Sequence, residues 1–76
     1  MGRKDHLMRR LSEVRSRAEQ AHLSIVVHGH EADKLRAAGL DASESYRRMK
    51  AAENAEQKLL KEMTWILDQL DSLEIG

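Results

Sequence analysis

Hydrophobic residues recur along the first half of the chain at alternating intervals of four and three, and the second half repeats this pattern. The spacing is the heptad pattern of a helix that packs against another helix, because positions about 3.5 residues apart fall on one face. We call the two rows the seam positions. They are Leu7, Leu11, Val14, Ala18, Ala21, Ile25, His28, Ala32 and Leu35, then Ser45, Met49, Ala52, Glu56, Leu59, Met63, Ile66, Leu70 and Leu73.

The segment between the two rows carries the signals of a helix end followed directly by a helix start. Gly39 suits the left-handed backbone conformation just past a helix end. Asp41, with Glu44 three residues later, has the form of a helix N-cap with its capping-box partner. We therefore predict one helical domain over residues 1–76, with a helix over about 5–38, a turn at 39–41 and a helix over about 42–74.

These signals predict an all-α fold, an antiparallel hairpin of two long coiled-coil-like helices. If the chain folds back near Ala42, residues whose numbers add to 84 face each other, and the single polar layer pairs His28 with Glu56. A buried polar pair costs stability relative to leucine but can fix the register of two helices. The alternative is that both side chains tilt out to solvent.

The weakest part of the predicted first helix surrounds Gly29. Glycine and the β-branched run at residues 25–27 lower helix propensity there. We predict an unbroken first helix, with a kink or a break near Gly29 into a three-helix arrangement as the alternative.

A chain of 76 residues has room for only a thin core, which makes a partner an expected source of stability. We define the apolar flank as the side of the hairpin formed by the heptad e positions of both helices; its members are Met8, His22, Gly29, Leu60 and Leu67. We expect this flank to bind protein, either a second copy in a homodimeric four-helix bundle or a helix of another protein.

Further apolar residues fall at positions that face outward. Trp65 is one, and tryptophan often anchors interfaces, so we count it among the expected partner-binding residues. Leu23, Val26 and Val27 form an outward patch on the first helix. The alternative is that all four pack against a broken or third helix.

Charge is balanced overall but not along the chain, since 13 basic residues match 13 acidic ones. Residues 1–17 hold six basic and two acidic residues, whereas residues 62–76 hold four acidic and no basic ones. In an antiparallel hairpin these segments lie side by side and neutralise each other. Nucleic-acid binding is a second alternative, carried by Arg9, Arg10, Arg15 and Arg17, but the balanced charge and two aromatic residues disfavour it.

The composition and the motifs of the chain disfavour an enzymatic function and a membrane-spanning segment. No apolar run reaches membrane-spanning length, and cysteine is absent, which fits a cytoplasmic protein. The stretch His28-Gly29-His30-Glu31 looks like a metal motif, but helix residues two apart point to nearly opposite sides. We therefore expect no metal, no cofactor and no enzymatic activity, since no nucleophile, phosphate loop or carboxylate pair stands out.

The last ten residues, Leu67-Asp68-Gln69-Leu70-Asp71-Ser72-Leu73-Glu74-Ile75-Gly76, resemble the end of the second helix of BAG domains. Those three-helix co-chaperone modules bind the nucleotide-binding domain of Hsp70, and the end of their second helix typically runs leucine-leucine-x-leucine-aspartate-serine. The resemblance implies a co-chaperone-like alternative in which Asp71 contacts the chaperone. The sequence ends where the third helix of that family begins, so nucleotide exchange is not implied.

Overall fold

The computed structural model describes residues 2–75, and side chains over residues 2–74. It contains two long helices, α1 (Arg3–Ala37) and α2 (Ser43–Ile75), which pack against each other. Contacts between Arg3 and Gln69 at one end and between Arg36 and Tyr46 at the other show that the helices run antiparallel. The hairpin is a rod of 59 × 16 × 13 Å, and the predicted all-helical hairpin is confirmed.

Helix α1 continues without interruption through Gly29, so the alternative of a break into a three-helix arrangement is wrong. Glycine in a helix interior costs about 1 kcal/mol relative to alanine. Burial of seam residues near it, such as Ala32, offsets part of this cost. Gly29 also lies near α2, because a Cβ built on it would lie 3.5 Å from the sulfur of Met49.

The seam positions of both helices form the core, as the heptad pattern predicts. Leu7, Val14 and Ile66 make a buried cluster, and Ile66 and Val14 are its largest fully buried side chains. Partly buried seam residues pack against this cluster: Leu11, Leu59, Met63 and Leu70. The last predicted seam position, Leu73, is 40% exposed, so the core thins towards the end of α2.

The turn begins with the predicted left-handed glycine. Gly39 has φ 74°, its N–H donates to the carbonyl of Arg36 at 3.0 Å, and the N–H of Leu40 donates to the carbonyl of Leu35 at 2.8 Å. These two bonds form a Schellman motif, which satisfies carbonyls that the end of α1 leaves without partners. The loop therefore covers residues 38–42 and is slightly longer than the predicted turn.

The start of α2 differs from the predicted capping box. The Asp41 carboxylate accepts hydrogen bonds from the backbone N–H of Ser43 at 3.0 Å and from its hydroxyl at 2.6 Å. Glu44 instead accepts from Arg48, one helical turn further on. Asp41 thus forms an Asx turn before the helix, and the two bonds from Ser43 lower the pKa of its carboxyl group.

The register of the hairpin also differs from the prediction. His22 contacts Glu56 and Gly29 lies against Met49, and the residue numbers of each pair add to 78. His22 and Gly29 each follow a seam residue, Ala21 and His28, so the seam pairs add to 77, one heptad below the predicted sum of 84. Glu56 contacts His22, and His28 contacts Glu31 of its own helix, in place of the predicted contact between His28 and Glu56. A shift of one heptad keeps the seam rows opposed, so the apolar pattern alone does not distinguish the two registers.

Candidate protein-binding surfaces

The apolar flank remains largely open to solvent. Met8, Leu60 and Leu67 are between 42% and 51% exposed, and each lies at a heptad e position beside the seam. His22 is exposed on the same flank, and Gly29 is half-buried within it. The hairpin therefore leaves large apolar side chains uncovered next to its core, an arrangement typical of helices that bind further helices.

A shallow groove of about 530 Å³ lies on this flank. Ala18 contributes to it, and its short side chain leaves space between larger neighbours on the two helices. Two further apolar side chains line the groove, and charged or polar groups surround them. The full set is Arg15, Ala18, Glu19, His22, Leu23, Glu56 and Met63. Apolar and charged groups that alternate in this way suit an amphipathic helix better than a small apolar molecule.

A polar pair at this groove connects the two helices. The Nδ1 atom of His22 lies 3.2 Å from a carboxylate oxygen of Glu56. The Glu56 side chain is 23% exposed and that of His22 is 66% exposed, so the pair lies at the edge of the seam rather than inside it. His28 instead lies 3.3 Å from Glu31 of its own helix. Sequence reasoning found Glu56 but missed His22 as its partner, because a shift of one heptad places Ala21 opposite Glu56 and brings the adjacent His22 into contact with it.

The oppositely charged ends of the chain lie side by side. The guanidinium of Arg10 donates to both carboxylate oxygens of Glu62 at 2.8 and 3.0 Å, and Arg3 donates to Gln69 at 2.6 Å. Hydrogen bonds to Glu62, and its negative charge, raise the pKa of Arg10 further above its ordinary value. The bidentate contact couples α1 to α2 on the side of the hairpin opposite the apolar flank.

The basic residues of α1 do not form one surface. Arg10 is paired with Glu62, and Arg9, Arg15 and Arg17 fall at three different heptad positions around the helix. A phosphate backbone that followed one side of α1 would meet few of them at once. This arrangement of the basic residues disfavours the nucleic-acid alternative.

Trp65 is 55% exposed but does not lie on the apolar flank. It is two residues from Leu67, and helix residues two apart point to nearly opposite sides. Leu23, Val26 and Val27 are also exposed, at outward heptad positions of α1, and Leu23 in addition lines the edge of the groove. No third helix covers any of these four side chains within residues 2–75.

The part of the chain that the structure describes contains no group of three histidine, cysteine, aspartate or glutamate side chains placed to hold a metal ion. Within the same residues, neither helix combines the length and the apolar character needed to cross a bilayer. Comparisons with protein-family models, with curated proteins and with solved structures find no match to this chain.

Proposed function

We propose that this chain is a non-enzymatic protein-interaction module, a helical hairpin that self-associates and docks partner helices through its apolar flank. The observation that carries the proposal is the exposure of Met8, Leu60 and Leu67 on one side of a thin core. In the simplest assembly, two hairpins pack flank to flank as a homodimeric four-helix bundle. A helix of another protein would occupy the same surface with its own apolar face.

The thinness of the core supports self-association. Among the large apolar side chains, the hairpin buries Leu7, Val14 and Ile66. A larger number stay exposed, namely Met8, Leu23, Val26, Val27, Leu40, Tyr46, Leu60, Trp65, Leu67 and Leu73. Burying one such side chain contributes roughly 1.5–3 kcal/mol. The flank side chains are about half exposed, so covering them in a second hairpin would add a part of this amount for each residue.

Light scattering on Leu60→Glu/Leu67→Glu tests the flank. We expect wild-type protein to have the mass of a dimer or larger assembly, and the double variant to have a lower mass at the same concentration with unchanged helicity by circular dichroism. Ala51→Glu/Ser72→Glu is the matched control, since it adds the same two negative charges at exposed positions on the other side of α2. An unchanged mass in the flank variant, or an equal loss in the control, would contradict the proposed flank.

The co-chaperone alternative has one observation in its favour. Asp71 is exposed and follows Leu67 by four residues, so an acidic group lies on the same face of α2 as the apolar flank. Gly76, the end of the BAG-like segment, lies outside the described residues. Calorimetric titration of an Hsp70 nucleotide-binding domain with wild-type protein and Asp71→Ala tests it. Binding that Asp71→Ala weakens would favour this alternative, and no heat of binding would remove it.

A further inference from the structure

The outward heptad positions of α1 carry their own apolar stripe. Leu23, Val26 and Val27 are 62%, 46% and 51% exposed, and their spacing of three and four places them on one face of the helix. The outward positions of α2 differ, since apart from Trp65 they hold mostly polar or charged residues, such as Arg47, Lys58, Lys61 and Asp68. Helix α1 thus has an uncovered apolar face separate from the seam.

Two oppositely charged residues bracket this stripe symmetrically. Glu19 precedes Val26 by one heptad, and Lys34 follows Val27 by one heptad. Each charge therefore lies two helical turns, about 10 Å, from the centre of the stripe and on the same face as its valine. Neither side chain forms an ion pair within residues 2–75, and both are exposed.

We infer that a second copy of this chain docks on the stripe, with its α1 antiparallel to the first around a two-fold axis between Val26 and Val27. That axis places Val26 level with Val27 of the second copy. It also places Glu19 of each copy level with Lys34 of the other, so both unpaired charges gain a partner. An isologous dimer contact requires a surface whose charges are complementary to those of its own copy after a two-fold rotation.

The rest of the stripe agrees with this arrangement. The same rotation places Leu23 level with His30, and Gln20 level with Asp33, so no like charges meet along these positions. The two ion pairs are exposed and individually weak. Their effect is on orientation and register, because a parallel pairing would bring Glu19 to Glu19 and Lys34 to Lys34.

This contact goes beyond the proposed function, since it centres on Val26 and Val27 rather than on Met8, Leu60 and Leu67. The two surfaces adjoin at the groove, which Glu19 and Leu23 also line. A chain with both contacts has two different two-fold interfaces and would form tetramers or larger assemblies as its concentration rises. The two contacts are tested separately by working in the Leu60→Glu/Leu67→Glu background, which disrupts flank-to-flank packing and leaves every residue of the stripe unchanged. In that background we expect a concentration-dependent dimer.

The decisive experiment is a charge swap in that background, with mass measured by light scattering. Glu19→Lys alone and Lys34→Glu alone each place like charges level with each other, so each is expected to lower the mass towards that of a monomer at the same concentration. The combined Glu19→Lys/Lys34→Glu variant restores opposite charges and is expected to restore the dimer, and high salt should weaken it. Equal mass for all four proteins, or no recovery in the combined variant, would overturn the inference.

Because the chain has no cysteine, a single introduced thiol reports the contact directly. Val27→Cys is expected to form a disulfide-linked dimer under mild oxidation, since the axis brings residue 27 of one copy beside residues 26 and 27 of the other. Ala51→Cys is the control, at the same heptad position on α2. Equal crosslinking of both variants, or none in Val27→Cys, would contradict the antiparallel contact. A flank that fails its own test leaves these outcomes unchanged.

Discussion

Replacing Gly29 by alanine is expected to stabilise the hairpin by about 1 kcal/mol. The gain comes from helix propensity, which favours alanine over glycine by about that amount in a helix interior. Packing does not oppose it, because the added Cβ would lie 3.5 Å from the Met49 sulfur, an ordinary van der Waals contact. In a domain of this size, 1 kcal/mol raises the melting temperature by about 4–8 °C.

Gly39→Ala is the matched substitution with the opposite expected sign. Gly39 has φ 74°, and a left-handed conformation costs a residue with a Cβ roughly 1–2 kcal/mol. Thermal melts followed by circular dichroism at one fixed protein concentration compare both variants with wild type, since self-association makes the melting temperature concentration-dependent. A lower melting temperature for Gly29→Ala would refute a continuous α1 with this packing against Met49.

Three further predictions concern the core, the turn and the polar edge of the seam. Ile66→Val is expected to lower stability by about 0.5–1.5 kcal/mol in urea unfolding, because Ile66 is fully buried; no loss would mean that the site is open. The lowered pKa of Asp41 means that its stabilising effect is present above the unfolded-state pKa and is lost as pH falls through the folded-state pKa. Acid melting curves should therefore converge for wild type and Asp41→Ala at low pH, and a constant difference between pH 7 and pH 2 would contradict this. Glu56→Leu is expected to raise the melting temperature, since it adds an apolar side chain to the seam and removes only a pair with the exposed His22; a lower melting temperature would show that the pair is worth more than the added apolar contact.

The sequence was sufficient to predict the helices and their buried faces. Heptad spacing is a local property, so Leu7, Val14 and Ile66 could be assigned to the core without knowledge of the partner helix. Gly39 could likewise be placed past the end of α1, because few other residues adopt its backbone conformation. Both features depend on residues close together in the chain.

The register of the two helices could not be predicted from heptad spacing, because it depends on the residue at which the chain turns back. A heptad seam matches itself after every seven residues, so the apolar pattern accepts either His22 or His28 near Glu56. The choice depends on the geometry of residues 38–42, including the Asx turn at Asp41, for which the sequence suggested a capping box.

The candidate binding surfaces were predictable in part. Leu60 and Leu67 could be assigned to one flank from their heptad position, and both are exposed there. Trp65 was grouped with them on residue type, yet its position on α2 places it on the other side of the helix. The complementarity of Glu19 and Lys34 required the structure, in which neither side chain forms an ion pair within residues 2–75.

The short connection at residues 38–42 thus selects among otherwise equivalent ways for the two helices to slide along each other. A slide of one heptad moves α2 by about 10 Å relative to α1 while keeping seam positions opposite seam positions. Such a slide would separate Arg10 from Glu62 and His22 from Glu56, and it would reshape the groove around Ala18. Which side chains this protein presents to a partner is therefore decided at the end of the rod farthest from the Arg10 and Glu62 contact.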